Sequence, residues 1–144
     1  MSVFFNNFFS QLHEKNRNID IKELIAISDL IIKTNENKGK IIIVGNGGSA
    51  AIASHVSIDL SKSANIRSIN FNESSLLTCF SNDYGYESWV EKAIEMYSDK
   101  NDLIILISSS GNSKNIINGA IKAKLMGLSL ITLSGFQYNN KLNQ

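Results

Sequence analysis

A chain of 144 residues is one domain's length, enough to bury roughly two thirds of its unfolded surface without disulfides or metal. Its formal net charge of +1 gives no general attraction to nucleic acid or to a membrane surface, and it has no basic run or aromatic-plus-arginine stripe to suggest either partner. A single cysteine, Cys79, excludes an intrachain disulfide; with no basic leader and no run of about 18 apolar residues, the expectation is a protein of the reducing cytoplasm.

From Val3 to about Arg17, the residues Phe4, Phe5, Phe8, Phe9 and Leu12 recur at helical spacing and make one aromatic face. Asn18 to Asp20 reads as a break with a capping aspartate. Ile21 to Thr34 repeats the pattern with Leu24, Ile25, Ile27, Leu30, Ile31 and Ile32. The phenylalanine stripe either caps the domain core or packs against a sister subunit.

Lys40 to Val44 is a strand signal with β-branched residues on both faces, as a parallel sheet between helix layers requires. Gly45-Asn46-Gly47-Gly48-Ser49 then turns the chain, with Ser49 expected as N-cap of an alanine-rich helix running to about Ser61. Arg67 to Asn70 reads as a short strand, Glu73 to about Phe80 as helix, Ser81 to Glu87 as a polar loop, and Ser88 to Ser98 as helix. Leu103 to Ile107 is a second doubly buried strand. It runs into Ser108-Ser109-Ser110-Gly111-Asn112-Ser113, and a helix from Lys114 to about Met126 follows, with Gly127 as its C′ residue. Leu128 to Leu133 reads as a further buried strand, and Phe136 to Gln144 as a polar end. The β-α alternation predicts an α/β fold with a parallel sheet and right-handed crossovers, behind two leading helices.

Strand ends followed by small polar turns and helices point unpaired N–H groups and the positive helix end at one spot. The glycine turn and the serine run both fall on the carboxyl edge of such a sheet, where ligands bind. Serine hydroxyls beside helix amides, with no cation in the loop, suit a phosphate monoester; the competing reading is a solvated capping region. His55 and Asp59 share a helix face one turn apart. They could shuttle a proton, supply two ligands of a metal site, form an ordinary polar pair, or include a buried histidine satisfied by backbone. Asp83 fits an Asx turn or a ligand contact, His13 lies away from this edge, and Cys79 is expected as a packed thiol.

Gly45-Asn46-Gly47-Gly48-Ser49-Ala50 with His55 after it, Ser81-Asn82-Asp83-Tyr84-Gly85-Tyr86-Glu87, and Ile107 to Asn115 together resemble, in order and spacing, the sugar isomerase (SIS) domain of bacterial phosphoheptose isomerases. The resemblance implies a flavodoxin-like three-layer α/β/α sandwich over residues 39–144, an oligomer-forming helical pair over 1–38, and a homotetramer with sites shared between subunits. It implies conversion of sedoheptulose 7-phosphate to D-glycero-D-manno-heptose 7-phosphate, through an enediol, for surface polysaccharide. Ser108, Ser109, Ser110 and Ser113 would hold the phosphate; Asn46, Gly47, Gly48 and Ser49 would line the sugar site; Asp83 would face the open-chain substrate. Asp59 stands where the family has its glutamate base, and with His55 it forms a pair that can bind zinc in company with a glutamine and a histidine. No nucleotide cofactor is implied. Two departures stand out: Asp59 is one methylene shorter than glutamate, and the family's last strand and C-terminal helix, with the second catalytic histidine and remaining zinc ligands, have no counterpart before Gln144. The alternative is a non-catalytic SIS protein that binds a phosphosugar for regulation or assembles on a partner such as a replication initiator.

Overall fold

The computed structural model describes residues 1–144. Helices α1 (Ser2–Arg17) and α2 (Ile21–Glu36) lead into β1 (Ile41–Gly45), α3 (Gly48–Lys62), β2 (Ser68–Asn70), α4 (Ser74–Tyr84), α5 (Trp89–Tyr97), β3 (Leu103–Ser108), α6 (Lys114–Leu125) and β4 (Ser129–Ser134). All three strand pairings are parallel and the order is β2-β1-β3-β4, the arrangement expected of a flavodoxin-like sheet. No helix is long and apolar enough to cross a membrane.

Successive strand side chains point to opposite faces, so each apolar run feeds two cores. Ile42, Val44, Ile104 and Leu106 pack with Trp89, Val90 and Ile94 of α5 and Ile116 and Ala120 of α6, and α4 adds Leu76, Leu77 and Phe80 at the margin. Ile41, Ile43, Leu103 and Ile105 pack on the other face with Ala53 of α3, while Ile27, Leu30 and Ile31 of α2 close over them. These are the three layers.

Helix α1 buries no residue. Phe4, Phe5, Phe8 and Phe9 stay 48–67% exposed, so the stripe does not cap the core of this chain.

Four local expectations are corrected. Gly47, not Ser49, occupies the N-cap position of α3: its φ of 54° and ψ of −119° suit glycine, and Ser49 falls inside the first turn. The loop expected from Ser81 to Glu87 begins only at Gly85, because α4 continues to Tyr84 before Gly85, at φ 82°, ends it. Glu73 starts that helix by accepting from the Ser75 and Leu76 N–H groups at 3.0 and 2.7 Å, which hold its carboxyl below the usual range. Phe80 and Tyr84, edge to face at 5.7 Å, carry the helix through the polar letters between them. Strand β4 is only partly buried, with Ile131 its one buried residue, since no strand flanks its outer side. The last nine residues are not merely a polar end: Leu142 joins the larger core and its N–H bonds the Gly111 carbonyl at 3.0 Å.

At the amino edge of the sheet, the buried Asp102 accepts from the Lys40 N–H (2.8 Å), the Lys40 Nζ (2.5 Å) and the Asp99 N–H (2.7 Å). Burial pulls the Lys40 ammonium down, and hydrogen bonds to Asp102 and Asp99 outweigh it, so its pKa lies above the ordinary lysine value. Because Asp102 ties the starts of β1 and β3 together, Asp102→Ala is expected to lower stability by about 3 kcal/mol in urea unfolding. A loss below about 1 kcal/mol would show that the knot is solvated and weak.

Candidate functional site

Residue-for-residue pairing of Ile41–Gly45 with Leu103–Ile107 brings both strands out at the same edge, so the glycine turn and the serine loop lie side by side. In the glycine turn, the Ser49 N–H bonds the Asn46 carbonyl and the Ala50 N–H bonds the Gly47 carbonyl, each at 3.0 Å. Gly47 and Gly48 are exposed and carry no side chain to shield the start of α3 from a ligand. Ser49 is half-buried in the first turn.

The serine loop is a turn closed by the Gly111 N–H on the Ser108 carbonyl at 2.9 Å. Ser108 is buried and its hydroxyl donates to the Ser113 Oγ at 3.2 Å, next to the start of α6. Ser110 Oγ accepts from the Asn112 N–H at 3.2 Å, and Ser109 is exposed with no side-chain hydrogen bond. Ser113 is the N-cap residue of α6 but its hydroxyl does not cap the helix, so it remains free to donate elsewhere. The loop holds hydroxyls and helix amides and no cation of its own. Lys114, in the first turn of α6, is engaged by Glu87 at 2.7 Å, and that hydrogen bond raises the lysine pKa.

Asn115 and Tyr86, to which the sequence assigned no role, both meet Asn46 of the glycine turn. Asn46 and Asn115 exchange side-chain amide hydrogen bonds, each 2.9 Å, and the Tyr86 hydroxyl donates to Asn46 Oδ1 at 3.2 Å. Both lie inside quoted motifs, yet motif membership alone does not say that residues so far apart in the chain touch.

The remaining predicted site residues fall outside this cluster. His55 Nε2 lies 3.4 Å from Asp59 Oδ2 on α3, with the side chains 79% and 57% exposed, so the histidine is not buried. Asp83 sits in the last turn of α4 with no hydrogen bond to either loop; it accepts from Asn82 Nδ2 at 2.9 Å and faces Cys79 Sγ at 3.6 Å. Cys79 is exposed, not a packed thiol, and the negative charge of Asp83 raises its pKa. A zinc ion takes three or four ligands, and no group of three or more His, Cys, Asp or Glu residues gathers in this chain. His55 and Asp59 alone do not make a zinc site.

The sequence model of the SIS domain matches residues 4–135. The chain belongs to the SIS domain family. It is 42% identical over 113 residues to a phosphoheptose isomerase of Helicobacter pylori (strain Shi470), covering 74% of this chain and 58% of the relative. A phosphoheptose isomerase of Glaesserella parasuis serovar 5 is 35% identical over 135 residues, covering 90% of this chain and 67% of that protein. The structure of phosphoheptose isomerase GmhA from Neisseria gonorrhoeae superposes with a TM-score of 0.88 at 27% identity, over 98% of this chain and 76% of that one. The chain thus spans a little under three fifths of the Helicobacter relatives it matches.

If the serine loop holds a phosphate through neutral donors, Ser110→Ala is expected to weaken phosphosugar binding about fivefold in calorimetric titration, the worth of one hydrogen bond. Unchanged affinity would remove the loop from the phosphate site.

Proposed function

We propose that this chain acts as a phosphoheptose isomerase, converting sedoheptulose 7-phosphate to D-glycero-D-manno-heptose 7-phosphate through an enediol, in the cytoplasm and toward surface polysaccharide. The observation that carries the reading is the pair of loops at one sheet edge: the glycine turn after β1 and the serine loop after β3, in a chain whose relatives are phosphoheptose isomerases.

In this reading Ser108, Ser109, Ser110 and Ser113 hold the phosphate with the start of α6, and Asn46, Gly47, Gly48 and Ser49 receive the sugar. Asp59 takes the proton from the carbon beside the ketose carbonyl and returns it to the former carbonyl carbon, while the carbonyl oxygen gains a proton from water and the adjacent hydroxyl gives one back to water, so that the enediol closes to the aldehyde with no net change in protons; His55 orients the carboxylate and holds its charge. Asp83 faces the open-chain sugar only if the substrate reaches the last turn of α4. Zinc enters only with ligands from beyond a single copy of these residues, and no step here depends on it.

The reading includes a homotetramer whose sites are shared between copies. Its support is apolar: the phenylalanine face of α1 is open, and on α3 the exposed Ile52, Val56 and Ile58 surround His55 and Asp59. A second copy laid on that face would take the acid–base pair out of water, where its charges act more strongly.

NMR of sedoheptulose 7-phosphate incubated with the purified chain tests the assignment. The wild-type chain is expected to form the heptose phosphate, and Asp59→Asn to slow the conversion by a factor of about 10² to 10⁴ while leaving sugar affinity within about twofold. Full turnover by Asp59→Asn would overturn the base assignment. Tight binding without turnover by the wild-type chain would identify a phosphosugar-binding module instead.

A further inference from the structure

We propose that Asn115, aided by Tyr86, is a positioning residue: it locks the Asn46 side-chain amide in one orientation, so that the glycine turn presents a fixed N–H donor to an oxygen of the sugar. The proposal rests on the reading of Asn46 as part of the sugar site.

A primary amide has two acceptor lone pairs and two N–H donors. Asn46 Oδ1 accepts from both Asn115 Nδ2 at 2.9 Å and the Tyr86 hydroxyl at 3.2 Å, which fills its acceptor capacity. Its Nδ2 gives one hydrogen to Asn115 Oδ1 at 2.9 Å. One N–H is therefore all that Asn46 has left to offer. Turning Asn46 by half a rotation about its last bond would set oxygen against oxygen and NH₂ against NH₂ across the pair, so the orientation holds as long as Asn115 holds.

Asn115 is packed in place, and because a joint turn of both amides would keep the pair, it is the Tyr86 hydroxyl donated to Asn46 Oδ1 that selects this orientation. Asn115 is the second residue of α6 and 3% exposed, next to Ile116 of the larger core. Tyr86 is held from the same helix through its neighbour: Lys114 Nζ bonds Glu87 Oε1 at 2.7 Å, and Asn118 Nδ2 bonds the Glu87 carbonyl at 2.9 Å. The amide pair supplies the only side-chain hydrogen bonds that join the glycine turn to the start of α6. A lost orientation would leave the phosphate loop untouched and blur only the sugar contact.

The test uses the whole chain with Asn115→Leu, which keeps the branched side-chain shape with somewhat greater bulk and removes the hydrogen bonds. Affinity for sedoheptulose 7-phosphate is expected to fall about tenfold while affinity for inorganic phosphate stays within about twofold. In the double variant with Asn46→Ala, the loss should equal that of Asn46→Ala alone, because Asn115 acts through Asn46. Additive losses, or an equal fall in phosphate affinity, would overturn the proposal. Independently of any ligand, the Asn46 side-chain NH₂ signal should be protected from solvent exchange in the wild type and lose that protection in Asn115→Leu; retained protection would also overturn the lock. Failure of the wild-type chain to bind any phosphosugar would sink the sugar-site reading, while the exchange measurement would still decide whether Asn115 holds Asn46. Tyr86→Phe, which deletes one hydroxyl, gives the same comparison should Asn115→Leu fail to fold: the expected loss of sugar affinity is about threefold, again with phosphate binding kept.

Discussion

The parallel pairing of β1 with β3 is the constraint on which the rest depends. Ile41 to Val44 and Leu103, Ile104 and Leu106 are at most 1% exposed, so slipping the register by one residue would turn each strand's two apolar faces onto the wrong helix layers. Asp102 reinforces that register at the amino edge by joining the backbone of Lys40 to the turn before β3. Once the register is set, both strands must end at the same edge, and two helices must start there with their N–H groups directed outward. The candidate site follows from that geometry before any particular side chain is considered.

The chemistry of the edge is one of neutral donors. Its nearest cation, Lys114, is paired with Glu87, and the residues on offer to a ligand are serine hydroxyls, backbone amides and one asparagine N–H. Such a site would bind a phosphate through dipoles and hydrogen bonds, which select for geometry more than for charge. His55 and Asp59 sit apart on the open face of α3, which also carries the exposed Ile52, Val56 and Ile58. On the proposed reading, one copy would supply the loops that hold the phosphate, whereas a dry environment for His55 and Asp59 would need another surface laid against α3.

The sheet and its loops were legible because their signals are local. Buried parallel strands need unbroken apolar runs, and turns that open helices need glycine and small hydroxyl residues, so Ile41 to Val44, Leu103 to Ile107 and the loops after them could be read directly. The end of α4 could not: Ser81-Asn82-Asp83-Tyr84-Gly85 has the letters of a loop, and the Glu73 cap with the Phe80–Tyr84 contact overrides them. Leu142 is the one aliphatic residue in the last nine, and only tertiary packing reveals that it belongs to the core. The Asn46–Asn115 pair was hidden for the plainest reason, a separation of 69 positions that no local pattern bridges. Cys79 was misjudged because its apolar neighbours Leu77 and Phe80 point to the core while it lies on the side of α4 that carries Asp83.

The glycine turn and the serine loop are proposed to form one ligand site. The most direct measurement is a titration of the isotope-labelled chain with sedoheptulose 7-phosphate, following backbone amide signals by NMR. The amides of Gly47, Gly48 and Ser49 and those of Ser109 to Ser113 should shift together along a single binding curve. Shifts in only one of the two loops, two unequal curves, or movement centred elsewhere on the chain would contradict it.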